Sequence, residues 1–270
     1  MKNAKGSAMV PQEASAAGAK MARGKNIIAV ASGKGGVGKT WFSITLCQAL
    51  ARSGKKVLLF DADLGLANVD IQIGLMPQRD LSGVIAGRLS LAQSKVRYED
   101  GGFDIIAGRS GAGNLAQLPQ ARLNSLGSDL VKLSQTYDHV VMDLGAGLDR
   151  TVRLLAMRAG QTLVVTTPEP TALTDAYAFI KVVMGADPKI DLRIVVNTAD
   201  TRGEGQKTYE TLRKACQNFL NVSPPLAGVI RRDRKVLEAI RQQTPLLTRS
   251  PGADAAEDVE RIVRALREPS

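Results

Sequence analysis

The chain has 270 residues, 44% of them apolar and 4% aromatic, with 36 Lys and Arg against 26 Asp and Glu, a formal net charge of +10. That length and apolar fraction suffice for a full core. No apolar run approaches the roughly eighteen residues of a membrane span, and so few aromatics argue against a stacking platform for single-stranded nucleic acid. The two cysteines, Cys47 and Cys216, lie far apart and outside any CxxC, which excludes a disulfide scaffold, a zinc ribbon and an iron–sulfur site.

Residues 1–25 hold five basic side chains and one acidic, without sustained periodicity, and read as a disordered basic tail. They contain no secretory apolar stretch, so the chain reads as cytoplasmic. From 26 to 270 the pattern is that of a single domain. Strands are expected at 26–31, 56–60, 103–107, 139–142, 162–166, 192–197 and 226–229. Helical stretches are expected at 39–52, 118–134, 151–159, 171–184, 204–220, 232–242 and 253–267. Strands written as continuous Val, Ile and Leu runs are buried on both faces, which predicts a doubly wound α/β fold, a mainly parallel sheet flanked by helices. In the last helix Val259, Ile262, Val263 and Leu266 share one face, which fits packing on the sheet better than lying on a membrane. Residues 231–249 carry six basic side chains and two acidic, either a solvated face or a contact for a polyanion.

The chemistry concentrates between the first strand and the first helix. Gly33, Gly35 and Gly38 satisfy GxGxxG, with Asp61 about twenty residues on, as in a dinucleotide fingerprint. The same stretch, Gly33-Lys34-Gly35-Gly36-Val37-Gly38-Lys39-Thr40, is also a phosphate loop closing on Lys-Thr. Lys39 and Thr40 decide between the two. A nicotinamide fold has no use for an ammonium and a hydroxyl at the helix start, whereas a magnesium triphosphate needs both. Glycines let backbone N–H groups turn toward phosphate, and the helix that follows points its positive end there. Asp143 ends the apolar strand His139-Val140-Val141-Met142, where phosphate-loop enzymes keep the carboxylate of the magnesium shell. His139 itself reads as an ordinary strand residue, and Trp41 as helix packing rather than an adenine stack.

Lys34 is a second lysine within the loop, and with it KGGVGKT resembles the deviant Walker A signature of the MinD/ParA ATPases, a family of P-loop NTPases. The resemblance runs from about residue 26 to 267. It implies ATP and ADP as ligands, with Mg2+, and an ATP-dependent homodimer in which Lys34 reaches the partner's nucleotide. It further implies that Asp63 positions the attacking water and that Thr40, Asp61 and Asp143 serve the metal. Residues 143–147 would form the second switch. Asn197 would read adenine through its amide, and the loop carrying Arg231 and Asp233 would close over the base, with Arg231 standing where the family often has proline.

Gly65-Leu66-Ala67-Asn68, the stretch from Thr167 to Tyr177 (TPEPTALTDAY) and Gly145-Ala146-Gly147 are similar to the FlhG/FleN flagellar number regulators within that family. That branch implies slow hydrolysis that resets a switch, and a flagellar partner: an FlhF-like GTPase, a transcription factor or a basal-body component. Recruitment to a pole, a membrane surface or the nucleoid would accompany it. Residues 1–25 show no DQAxxLR-type element for stimulating the GTPase, and no amphipathic targeting helix follows Arg267. The alternatives are a ParA-like partition ATPase holding DNA nonspecifically through Arg231, Arg232, Arg234, Lys235, Arg241 and Arg249, or a MinD-like regulator of the division site.

Overall fold

The computed structural model describes residues 22–108 and 118–267. In chain order the elements are β1 (Gly24–Ser32), α1 (Lys39–Arg52), β2 (Val57–Ala62), α2 (Val69–Gln72), α3 (Leu81–Ile85), α4 (Leu91–Ser94), β3 (Val96–Tyr98) and β4 (Phe103–Ile106). Then come α5 (Gln120–Ser134), β5 (His139–Ala146), α6 (Arg150–Ala156), β6 (Ala159–Thr166), α7 (Pro170–Ala186), β7 (Asp191–Ala199) and α8 (Arg202–Leu220). The chain continues through β8 (Leu226–Arg231), α9 (Arg234–Arg241), α10 (Leu246–Arg249) and α11 (Asp254–Arg267).

The strands form one eight-stranded sheet in the order β3-β4-β2-β5-β1-β6-β7-β8, parallel throughout except for β3 against β4. The doubly wound architecture expected from the alternation is the one observed. Along β1, Ile27, Ala29 and Ala31 face α5, α6, α7 and α8, while Ile28 and Val30 face α1, α10 and α11. Because both faces are covered, the central strands carry no polar alternation. The last helix packs as expected: Val259, Ile262 and Val263 are buried, and Gly228 of β8 lets Ile262 approach the sheet. Among the described residues no helix is long and apolar enough to cross a membrane.

Several elements escape the periodicity. The edge strand β3 has only three residues, and α2, α3, α4 and α10 are single turns, too short to show a face. Strand β1 also begins earlier than residue 26. Gly24 pairs with Ala159 of β6, and Arg23 donates to the Met157 carbonyl at 3.1 Å and pairs with Asp187. The rest of the expected tail, residues 1–21, lies outside the described residues.

Candidate active site

Strand β1 leaves the sheet between β5 and β6, at the carboxyl edge where open parallel sheets bind ligands. The loop that follows ends on Lys39, the first residue of α1, so that helix directs its positive end and unpaired N–H groups at the loop. Gly38 adopts φ 89°, and a Cβ there would also collide with the amide of Asn197. Gly33 lies against the backbone of Asp175 in α7, with no room for a side chain. Gly35 and Gly36, in contrast, face open space. The loop is therefore packed from behind and bare in front, as a cradle for phosphate must be.

The charged groups converge on that front. Lys39 is 8% exposed; burial lowers its pKa, against the carboxylates of Asp143 and Asp63, which raise it. Asp143, near the end of β5, stands in register with Asp61 of β2. Burial pushes the Asp143 carboxyl up to about 6, while the Thr40 hydroxyl, Lys39 and the Ser43 hydroxyl favour its charged form. Ser43 Oγ donates to Asp143 Oδ1 at 2.9 Å. Asp61 is fully buried, and desolvation followed by the Asp143 charge raises its pKa well above the carboxylate range. Two adjacent buried carboxylates beside a hydroxyl form a hard oxygen set deficient in positive charge, which suits a magnesium ion that also holds phosphate oxygens and water. Among the described residues no group of three or more His, Cys, Asp or Glu side chains gathers as a metal cage.

Asp63 spans two loops. Its Oδ1 accepts from the N–H of Gly65 at 3.3 Å and of Leu66 at 2.9 Å, and the carboxylate lies beside Gly145. Its Oδ2 makes no bond with the described residues and can hold a water.

Lys34 turns back onto its own chain. Its Nζ donates to Glu169 Oε2 at 3.2 Å and to Thr171 Oγ1 at 3.0 Å, both at the start of α7. Sequence reasoning took these two residues as branch markers and missed their contact with the lysine. It missed Ser43 as well, which the i, i+3 spacing from Thr40 places on the loop-facing side of α1.

The three residues expected at the base each make contacts within the protein. Asn197 lies beneath the loop, its Nδ2 donating to the Val37 carbonyl at 2.8 Å and its Oδ1 accepting from Thr198 N–H at 2.9 Å. One amide hydrogen thus braces the loop, and the second is left for a base. Arg231 is taken up by carboxylates. Its guanidinium is drawn to α11, with Nη1 at 2.5 Å from Asp254 Oδ1 and Nε at 2.7 Å from Asp258 Oδ2. Asp233 is committed too, accepting from Lys235 N–H at 2.8 Å to cap α9 and from Ala255 N–H at 3.3 Å. Both side chains tie the loop after β8 to α9 and α11.

The basic run is partly neutralised in the same way. Arg231 is paired as above, Arg232 Nε meets Asp200 at 2.9 Å, and Lys235 meets Glu238 at 3.1 Å. Arg234, Arg241 and Arg249 have no ion pair among the described residues. Trp41, Cys47 and Cys216 are buried, as core residues should be, and His139 starts β5, at the opposite end of that strand from the Asp143 site. An apolar groove of about 550 Å³ runs between α7 and α8, lined by Pro170, Leu173, Tyr177, Leu212 and Phe219 among others.

Comparison with known proteins agrees with this geometry. The profile of the CobQ/CobB/MinD/ParA nucleotide binding domain matches residues 28–246. The antiactivator FleN of Pseudomonas aeruginosa is 37% identical over 230 residues, 85% of this chain and 82% of that protein. The flagellum site-determining protein YlxH of Helicobacter pylori is 31% identical over 240 residues, 88% of this chain and 81% of its own length. Among solved structures, the septum site-determining protein MinD of Pyrococcus horikoshii, complexed with Mg-ADP, superposes with a TM-score of 0.76 at 23% identity, covering 92% of this chain and 97% of that one.

Proposed function

The chain belongs to the CobQ/CobB/MinD/ParA nucleotide binding domain family, and from that premise we propose that it is a magnesium-dependent ATPase switch of the FlhG/FleN branch that regulates flagellar number or placement. One observation carries the nucleotide reading: Lys39, Thr40 and Ser43 converge on Asp143 behind a glycine face open to a ligand. The flagellar role rests on likeness to FleN and YlxH over more than four-fifths of the chain.

In this reading the loop amides and Lys39 bind the phosphates, and Thr40 with Asp143 and Asp61 would hold a magnesium ion, which supplies charge neutralisation at the β- and γ-phosphates. Asp63 orients a water through its unbonded oxygen. Lys34 must leave Glu169 and Thr171 to reach the partner's triphosphate, so dimer formation exchanges one contact for another. ATP dimer and ADP monomer then offer different surfaces to a flagellar partner such as an FlhF-like GTPase.

A ParA-like hold on DNA is disfavoured by the pairing of Arg231, Arg232 and Lys235 with carboxylates. Calorimetry with ATP, with and without Mg2+, tests the first half of the reading: binding strengthened by the metal supports it, and no binding overturns it. Flagella counted by electron microscopy after deletion of the chain test the second, where unchanged number and position would remove the flagellar role. A gel shift with nonspecific duplex at low and high salt separates the rival, since tight ATP-dependent, salt-sensitive retention belongs to a partition protein.

A further inference from the structure

The three carboxylates Asp61, Asp63 and Asp143 stand on the β2 and β5 side of the phosphate loop, which is where a cation and the terminal phosphates belong. A nucleotide bound in that direction sends its base the other way along the sheet edge, toward the ends of β7 and β8. Two connections meet there, residues 200–201 at the end of β7 and 232–233 after β8. Arg232 N–H donates to the Ala199 carbonyl at 2.7 Å, and its guanidinium meets Asp200. Thr198, next to Asn197, is held in the left-handed region at φ 55°, a conformation that survives only where neighbouring contacts impose it.

One carboxylate behind these loops gathers the contacts. Asp258 of α11 has a fully buried side chain. Its Oδ2 accepts from Arg231 N–H at 3.0 Å and Arg231 Nε at 2.7 Å. Its Oδ1 accepts from Arg231 Nη2 at 3.1 Å, Arg202 Nη2 at 3.0 Å and Arg261 Nη1 at 3.1 Å. Arg202 begins α8, directly after the first loop, and Arg231 ends β8, directly before the second. Burial alone would push the Asp258 carboxyl up, yet the bonds from Arg231 and Arg202 hold it below the usual carboxylate range. A carboxylate saturated with donors from two loop ends fixes their separation as well as their position.

We propose that Asp258 is a positioning residue for the nucleotide base, setting through Arg202 and Arg231 the two loops between which the base lies without touching the ligand. The inference rests on the nucleotide-binding reading above. Arg261 supplies the internal control, because it bonds the same oxygen from within α11 and is attached to neither loop.

Two probes separate base from phosphate: Mg-ATP and inorganic tripolyphosphate with Mg2+, which has no base. Asp258→Asn and Arg202→Gln are expected to weaken ATP about tenfold by calorimetry and to leave tripolyphosphate unchanged, while Arg261→Gln alters neither. Should Asp258→Asn fail to fold, Arg202→Gln carries the comparison alone, since its half-exposed side chain can be replaced without unpairing Arg231. Equal losses for ATP and tripolyphosphate, or equal effects of Arg202→Gln and Arg261→Gln, would show a merely structural knot and overturn the proposal. A parent protein that binds neither probe overturns the nucleotide reading itself, and this inference with it; a parent that binds ATP beside variants that bind it equally well overturns only the inference.

Discussion

The phosphate end and the base end of this site are built in opposite ways. The phosphate end comes from one unbroken stretch, Gly33 to Thr40, whose work is done by backbone amides and a helix terminus, with Asp143 as the main long-range partner. The proposed base end is assembled from Asn197, Arg202, Arg231, Asp233 and Asp258, spread over β7, α8, β8, α11 and the loop before α9; Asp258 pairs with both arginines, Asn197 donates to the Val37 carbonyl, and Asp233 accepts from backbone N–H groups. A backbone site is written contiguously because neighbouring amides can converge only when their residues are neighbours. A side-chain site can be gathered from anywhere the fold brings carboxylates and guanidiniums together.

The sharpest way to break the comparison is at Lys34, the one residue of the contiguous loop assigned to another protomer. In an Asp63→Ala background, which blocks turnover, Lys34→Ala should stay monomeric by light scattering at all ATP concentrations. In the otherwise unchanged chain, the same substitution should lower hydrolysis about a thousandfold, the scale of a trans-acting arginine finger. A Lys34→Ala dimer would remove the trans role. At Lys39 the expected loss is in binding: truncating a buried ammonium opposite phosphate costs about 2–5 kcal/mol, roughly thirtyfold to a few thousandfold in Kd. Unchanged affinity by calorimetry would end the phosphate-loop assignment.

Asp63→Ala should keep ATP affinity and the dimer while hydrolysis falls on the order of a hundredfold, because the water-orienting carboxylate is removed while the phosphate loop, Lys39 and Thr40 stay in place. Turnover at the parent rate would mean that the carboxylate merely caps Gly65 and Leu66. The smallest effect belongs to Glu169→Gln. Exposed ion pairs contribute about 0–1 kcal/mol, so releasing Lys34 should lower the ATP concentration needed for dimerisation by no more than about fivefold. A higher requirement would mean that Glu169 serves the dimer instead of restraining the lysine.

The site residues were legible in proportion to how locally they act. Gly38 could be read as obligatory because a turn before a helix demands its φ, yet its collision with Asn197 could not, since that neighbour lies far along the chain. Arg231 stands out in the sequence as a departure from the family's proline, but its pairing with Asp254 and Asp258 is not readable there, since those carboxylates belong to a later helix. Glu169 and Thr171 were visible as a motif but silent as to role, because nothing in TPEPT says that a lysine from the other end of the chain will rest on it.

What the sequence by itself determined is the parallel sheet, the phosphate loop and the order of the longer strands and helices, because apolar runs and glycine spacing act between near neighbours. Helix α1 starts and ends at the residues the pattern indicated, and α11 buries the face its periodicity marked. Only the tertiary structure decided where long side chains point. An arginine reaches several ångströms in many rotamers, and the one it adopts depends on which carboxylate the fold has buried within reach. For Arg202, Arg231 and Arg261 that carboxylate is Asp258, whose buried charge must be met by donors from whichever elements surround it.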